Sequence, residues 1–173
     1  MAAAVTRRLA AVAVTLGVIG LGLGMAAVAA KSKHHPKHPA VTAAAIYREF
    51  HKAGLPVSGL IVYTATTDPN HLLGRPTGYK SKCAWVDSRV PGSDAQGLSA
   101  GDVGLGGSVE VFRTAKAAKA RAKYIFTVES AAAILGAEYD YLKGPILVRV
   151  SQYLTPAQAA TYRKVVHGKL YRG

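Results

Sequence analysis

Acidic residues are scarce in this chain: nine Asp and Glu stand against 22 Lys and Arg, an excess of +13. Such an excess favours anionic partners through long-range attraction, but it speaks to encounter and solubility rather than to fold. Cysteine is scarcer still. Cys83 stands alone, so an intramolecular disulfide is excluded and the core must hold without covalent staples. A lone cysteine serves as an intermolecular link, a reactive thiol or a small buried hydrophobe. Its place in an apolar run with Ala84 and Trp85 favours the third.

Catalytic signatures are missing as well. There is no Gly-x-Ser-x-Gly, no Walker loop, no Gly-x-Gly-x-x-Gly between a strand and a helix, and no Cys/His cluster with zinc spacing. Beyond residue 40 the histidines are His51, His71 and His167. His51 and His167 fall in the last turns of expected helices, where the helix dipole accommodates them. Only His71 lies in a loop with polar neighbours. These absences point away from an enzyme, and neither a cofactor nor a metal is expected.

The chain does contain one long uncharged run. Residues 9–30 follow Arg7 and Arg8 and close on Ala27-Val28-Ala29, a small-x-small pattern. Residues 1–30 therefore read as an export signal, and the run is also long enough to serve as a membrane anchor. On either reading the remainder is secreted or extracytoplasmic, and membrane-anchored if the leader is not cleaved. Residues 31–40 form a basic tether rich in His, Pro and Lys, which Pro36 and Pro39 keep extended. His34, His35 and His38 offer metal capture without fixed geometry; a solvated spacer is the alternative. A single domain is expected over 41–173.

Within that domain, Thr42 caps a helix to about Ala53, with Ile46 and Phe50 on one stripe. Gly54 suits the left-handed position after the helix, and Leu55 and Pro56 complete the stop. Strands are expected at 59–64, 82–88 and 108–113, and a hairpin at 138–151 turns at Lys143-Gly144-Pro145. Thr114 caps a long Ala-rich helix to about Leu135. Its Ala117, Ala120, Tyr124, Ile125 and Val128 are expected to pack on the sheet. Lys116, Lys119 and Lys123 lie within about 60° of one another around its axis. That stripe is a solvated basic face or a contact for anionic surfaces. Thr155 and Gln158 form a capping box with Pro156 at the first helical position. The glycine-rich segment 90–107 has no aromatic residue and is expected to be disordered. The sum is an α+β fold with two layers: a mainly antiparallel sheet of about five strands with helices packed on one face.

The segment between the first two strands concentrates Asp68, Asn70, His71, Arg75 and Tyr79. As a ligand loop it presents polar groups on a scaffold. As a structural loop, Asp68 and Asn70 satisfy turn backbone, Leu72 and Leu73 pin it to the core, and Arg75 pairs with an acid. Loss of Asp68 then costs on the order of 1 kcal/mol.

Taken together, Asp68-Pro69-Asn70-x-Leu72-Leu73-Gly74-Arg75-Pro76, Gly107-Ser108-Val109-Glu110-Val111-Phe112 and Leu154-Thr155-x-x-Gln158 resemble a group of uncharacterised small secreted proteins and lipoproteins of Gram-positive bacteria. The likeness spans about residues 46–166. It implies export and a single domain, and it transfers no catalytic residue. The lipidated cysteine of the lipoprotein members is absent here, so their anchoring is not implied. Three functions compete: a non-enzymatic envelope or extracellular binding domain, a secreted enzyme with His71 as base and Arg75 as anion clamp, and a nucleic-acid binder using Lys116, Lys119 and Lys123. The first is favoured, with anionic cell-wall polymer or lipid headgroups as partners and no specific nucleic acid.

Overall fold

The computed structural model describes residues 40–132 and 136–173. The leader, residues 31–39 of the tether and the expected end of the long helix at Leu135 lie outside the described residues. Among those described, three α-helices accompany a six-stranded sheet in which every pairing is antiparallel. The α+β class is as the sequence implies. The chain runs α1 (Ala43–Lys52), β1 (Val57–Val62), β2 (Ser81–Asp87), a 3-10 turn (Val103–Leu105), β3 (Gly106–Val111), α2 (Ala115–Ala131), β4 (Tyr139–Lys143), β5 (Ile146–Val150), α3 (Pro156–Val166) and β6 (Lys169–Leu170). Across the sheet the order is β1-β2-β3-β5-β4-β6. The sixth strand is only two residues long, too short to announce itself by alternation.

Local chemistry sets the helix ends. Thr42 accepts from Ala45 N at the start of α1. At its end Leu55 N donates to Phe50 O at 3.1 Å, and Gly54 takes φ +75°, a conformation that costs glycine nothing. Thr155 and Gln158 close the reciprocal capping box of α3, with Pro156 in its first turn. The αL residue after α3 is His167, at φ 51°.

Strand alternation sorts the sheet into two faces. Cys83, Trp85, Val109, Val148, Val150 and Tyr141 share one face with α1 and α3, and this is the main core. There Phe50 meets Tyr162 edge-on with centroids 4.9 Å apart, and Trp85 Nε1 donates to Tyr162 OH at 3.0 Å. Tyr162 in turn donates to Asp87 at 2.6 Å, and Arg89 pairs with the same carboxylate. The second face carries Lys82, Ala84, Ser108, Glu110, Leu147, Arg149, Leu142 and Asp140. Helix α2 lies there, its Ala118, Ala122 and Ile125 packed with Tyr79, Phe112 and Leu147. Helices on one face thus describe α1 and α3, while α2 covers the other side of β4 and β5.

Two expectations change. The stripe of α2 that reaches the sheet is Ala118, Ala122 and Ile125, while Ala120, Tyr124 and Val128 are exposed. An Ala-rich helix is apolar on more than one side, so periodicity does not choose between them. Segment 90–107 is ordered, as a succession of turns leading into the 3-10 turn and β3. Asp102 supplies what aromatic side chains do not: its carboxylate accepts from Ser99 N at 2.7 Å, and its N donates back to Ser99 O at 3.0 Å. Ser151 Oγ fastens the segment's far end, donating to Gly104 O at 2.7 Å.

Candidate functional site

Helix α2 packs mainly over β4 and β5 and reaches β3 through Arg121, which leaves a groove along its other side. Segment 98–104 rises over the β1–β2 side, with Gly101 close against Tyr63 and Ile61. Between this segment and α2 runs a groove of about 1330 Å³. Ala117, Ala120, Tyr124 and Val128 line its helix wall, Leu98, Val103 and Tyr153 the opposite one. Pro69, Asn70, Leu72 and Pro76 close one stretch, and Gly136, Glu138 and Gln152 another.

The floor is a chain of ion pairs. Lys82 Nζ meets Asp68 Oδ1 at 3.0 Å. Arg121 Nε meets Glu110 Oε2 at 3.1 Å, and Arg149 Nη1 lies 3.5 Å from the other oxygen of Glu110. Arg149 also grips Glu138 through Nε and Nη2, both at 2.8 Å, in the bidentate form that suits guanidinium and carboxylate. Asn70 joins the two halves. With its amide oxygen turned to the cations it accepts from Lys82 Nζ and Arg121 Nη2, each at 3.1 Å. Three basic and three acidic side chains therefore cancel along the floor.

Burial shapes the protonation of this network. Burial alone would raise the pKa of Asp68, but hydrogen bonds from Tyr79 and Lys82 hold it well below the usual carboxylate range. Asp140, cross-strand from Arg149, is pushed up to about 8 by burial, against the attraction of Arg149. Glu129 is raised by burial and by the neighbouring Glu138. Two buried polar atoms have no hydrogen-bond partner among the described residues: Asp140 Oδ1 and Ser108 Oγ. Ser108 lines the groove.

The residues singled out by sequence divide. Asp68 is a buried hub, accepting from Tyr79 OH, Lys82 Nζ and the backbone N–H groups of Asn70, Leu72 and Leu73. Tyr79 lies beneath the groove in the smaller core, and Gly78 before it is obligatory, since a Cβ there would stand 1.8 Å from Leu72 O. Asn70 faces the groove. His71 and Arg75 are exposed and line no part of it. Arg75 Nε donates to His71 O within its own turn and meets no acid among the described residues. Lys116 lines the groove, whereas Lys119 and Lys123 are exposed and do not. Sequence reasoning missed Lys82, Ser108, Glu110, Arg121 and Arg149. A signal existed, because Lys82, Glu110 and Arg149 each interrupt a strand whose alternate positions are apolar.

No protein-family model matches this chain, and no curated protein or solved structure is significantly similar to it.

Proposed function

We propose that this is an exported, non-enzymatic binding domain of the cell envelope or extracellular space, with the groove along α2 as its site. The observation that carries the reading is the groove itself: apolar walls over a floor of charged side chains that already satisfy one another. Ligand sites take this form, a mostly apolar concavity with a few fixed polar groups, and ion pairs held before binding cost no ordering when a ligand arrives. The leader pattern at 1–30 supports export. The excess of +13 supports attraction to the anionic polymers and headgroups of an envelope, and Lys116, Lys119 and Lys123 give α2 a cationic edge near the groove. Such attraction raises the encounter rate, while the groove confers selectivity.

The test is sedimentation of the purified protein with isolated Gram-positive cell walls. Ala120 is exposed on the groove wall, so Ala120→Trp fills the groove without entering the core. Binding by the wild type, weakened about ten-fold or more in Ala120→Trp at an unchanged melting temperature, is the expected result. Absence of wall binding, or binding indifferent to Ala120→Trp, overturns the reading.

A further inference from the structure

The chemistry of the groove narrows the ligand. Its charges nearly balance: Lys82, Arg121 and Arg149 are tied to Asp68, Glu110 and Glu138, and the lining adds one further cation, Lys116, against two further carboxylates, Asp102 and Glu129. A polyanion laid along the groove would find Lys116 as its one unpaired cation among the described residues while meeting Asp102, Glu129 and Glu138, and like charges repel most where water is thin. An acyl chain fails for a different reason. It would strip water from the Arg149 and Glu138 heads, whose side chains keep 13% and 18% exposure, and desolvating paired charges is costly. An uncharged ligand rich in hydroxyls avoids both costs, because each hydroxyl donates and accepts.

A second observation points the same way. Ser108 lines the groove although the residue is only 1% exposed, and its buried Oγ has no partner among the described residues. A buried hydroxyl without a partner is unfavourable, and a ligand hydroxyl supplies one. The walls suit the rest of such a molecule. Tyr124 and Tyr153 stand on opposite sides, and the alanines between Thr114 and Glu129 leave a shallow apolar track. At 1.5 Å per residue that track runs about 22 Å. Resting on the binding reading above, we propose that the groove takes an elongated neutral glycan, its ring faces on the Ala120–Tyr124–Val128 wall and its hydroxyls over Ser108, Asn70 and Arg149.

Calorimetric titration of the purified protein tests this with three kinds of probe: uncharged linear oligosaccharides of hexose and of N-acetylhexosamine, a glycerol-phosphate polymer, and a long-chain fatty acid. The expected result is binding of a neutral oligosaccharide with affinity changing less than about two-fold between 0.1 and 0.5 M salt, since no charge is screened. Ser108→Ala should weaken it several-fold with the melting temperature maintained or raised, and Ala120→Trp should abolish it. Binding of the glycerol-phosphate polymer alone, or of the fatty acid alone, overturns the proposal. So does failure of every neutral oligosaccharide. If cell walls still sediment the wild type but not Ala120→Trp, the binding function stands and only the ligand class is wrong. If walls do not sediment the protein either, both fall.

Discussion

Removing Asp68 should unfold far more than one turn. Its carboxylate is 1% exposed and accepts from Tyr79 OH at 2.6 and 2.7 Å, from Lys82 Nζ at 3.0 Å and from Leu72 N and Leu73 N at 2.8 and 3.0 Å. The single backbone bond expected from a turn is worth about 1 kcal/mol. The ion pair changes the magnitude. In Asp68→Ala the Lys82 ammonium, on a side chain 5% exposed, loses its counter-charge. Breaking a buried pair from one side costs about 3–5 kcal/mol. Urea denaturation should therefore show a loss of about 4 kcal/mol, a large part of the 5–15 kcal/mol that about any domain of this kind possesses. If Asp68→Ala proves too unstable to titrate, Asp68→Asn keeps the shape while removing the charge and the acceptor at one of the two oxygens. Lys82→Met in the same background should restore much of the loss, with a coupling of about 2 kcal/mol. The pH dependence has a definite sign. Asp68 is held below its unfolded value, so its contribution is present above pH of about 4 and is lost as pH falls toward the folded value. A cost under about 1 kcal/mol, or simple additivity with Lys82→Met, refutes the hub assignment.

Asp140 should act in the opposite sense. Its pKa is raised to about 8, so the folded state keeps a proton that the unfolded chain releases above about 4, and stability declines as pH rises between the two. Melting curves of Asp140→Asn should accordingly gain on the wild type from pH 5 to pH 8; a constant difference across that range sinks the assignment. Cys83 is fully buried and its thiol is pushed up to about 12 by burial, so native thiol labelling should be slow and should follow unfolding. Stoichiometric labelling of the folded protein within minutes would contradict this. His71→Ala should leave stability unchanged, because the ring is exposed, and melting temperature checks it. The proposed export signal at residues 1–30 predicts cleavage near Ala29 or Ala30, which the intact mass of protein recovered from culture medium tests; a chain confined to membranes and starting at Met1 would be anchored instead.

The parts of the fold that were legible are those whose chemistry is local. Gly54 with Leu55 and Thr155 with Gln158 satisfy backbone groups within a few residues, and Gly144-Pro145 is a two-residue turn between directly paired strands, so the sequence around them suffices. The placement of α2 was not local. Ala117, Ala118, Ala120 and Ala122 are equally acceptable to a helix, and what selects Ala118 and Ala122 for burial is Leu147 on β5 with Phe112 and Tyr79 in the segments flanking β3 and β2. Segment 90–107 was misjudged for a related reason. Its order comes from Asp102 binding its own backbone and from Ser151 reaching it across the fold, neither of which composition reveals.

The site follows the same division. Asp68 and Asn70 were found because their turn chemistry is visible in sequence, and His71 and Arg75 were carried along with them although they face solvent. The partners that matter stand far off in the chain, at Lys82, Glu110, Arg121 and Arg149, and become neighbours only through register. Lys82 lies opposite Glu110 and Ser108 opposite Arg149, because β3 runs antiparallel to both β2 and β5. Each charge alone looks like an ordinary interruption of an apolar strand. Buried together they cannot be incidental, since a charge far from water persists only with a partner. The strand alternation that fills one face with Trp85, Val109 and Val148 leaves these charges on the other. The same helix wall that leaves Tyr124 and Val128 exposed lines a groove whose lining includes the paired Lys82, Arg121 and Arg149. The misread face of α2 and the missed floor are thus one feature: a helix set to one side of the sheet, with the groove in the space it does not cover.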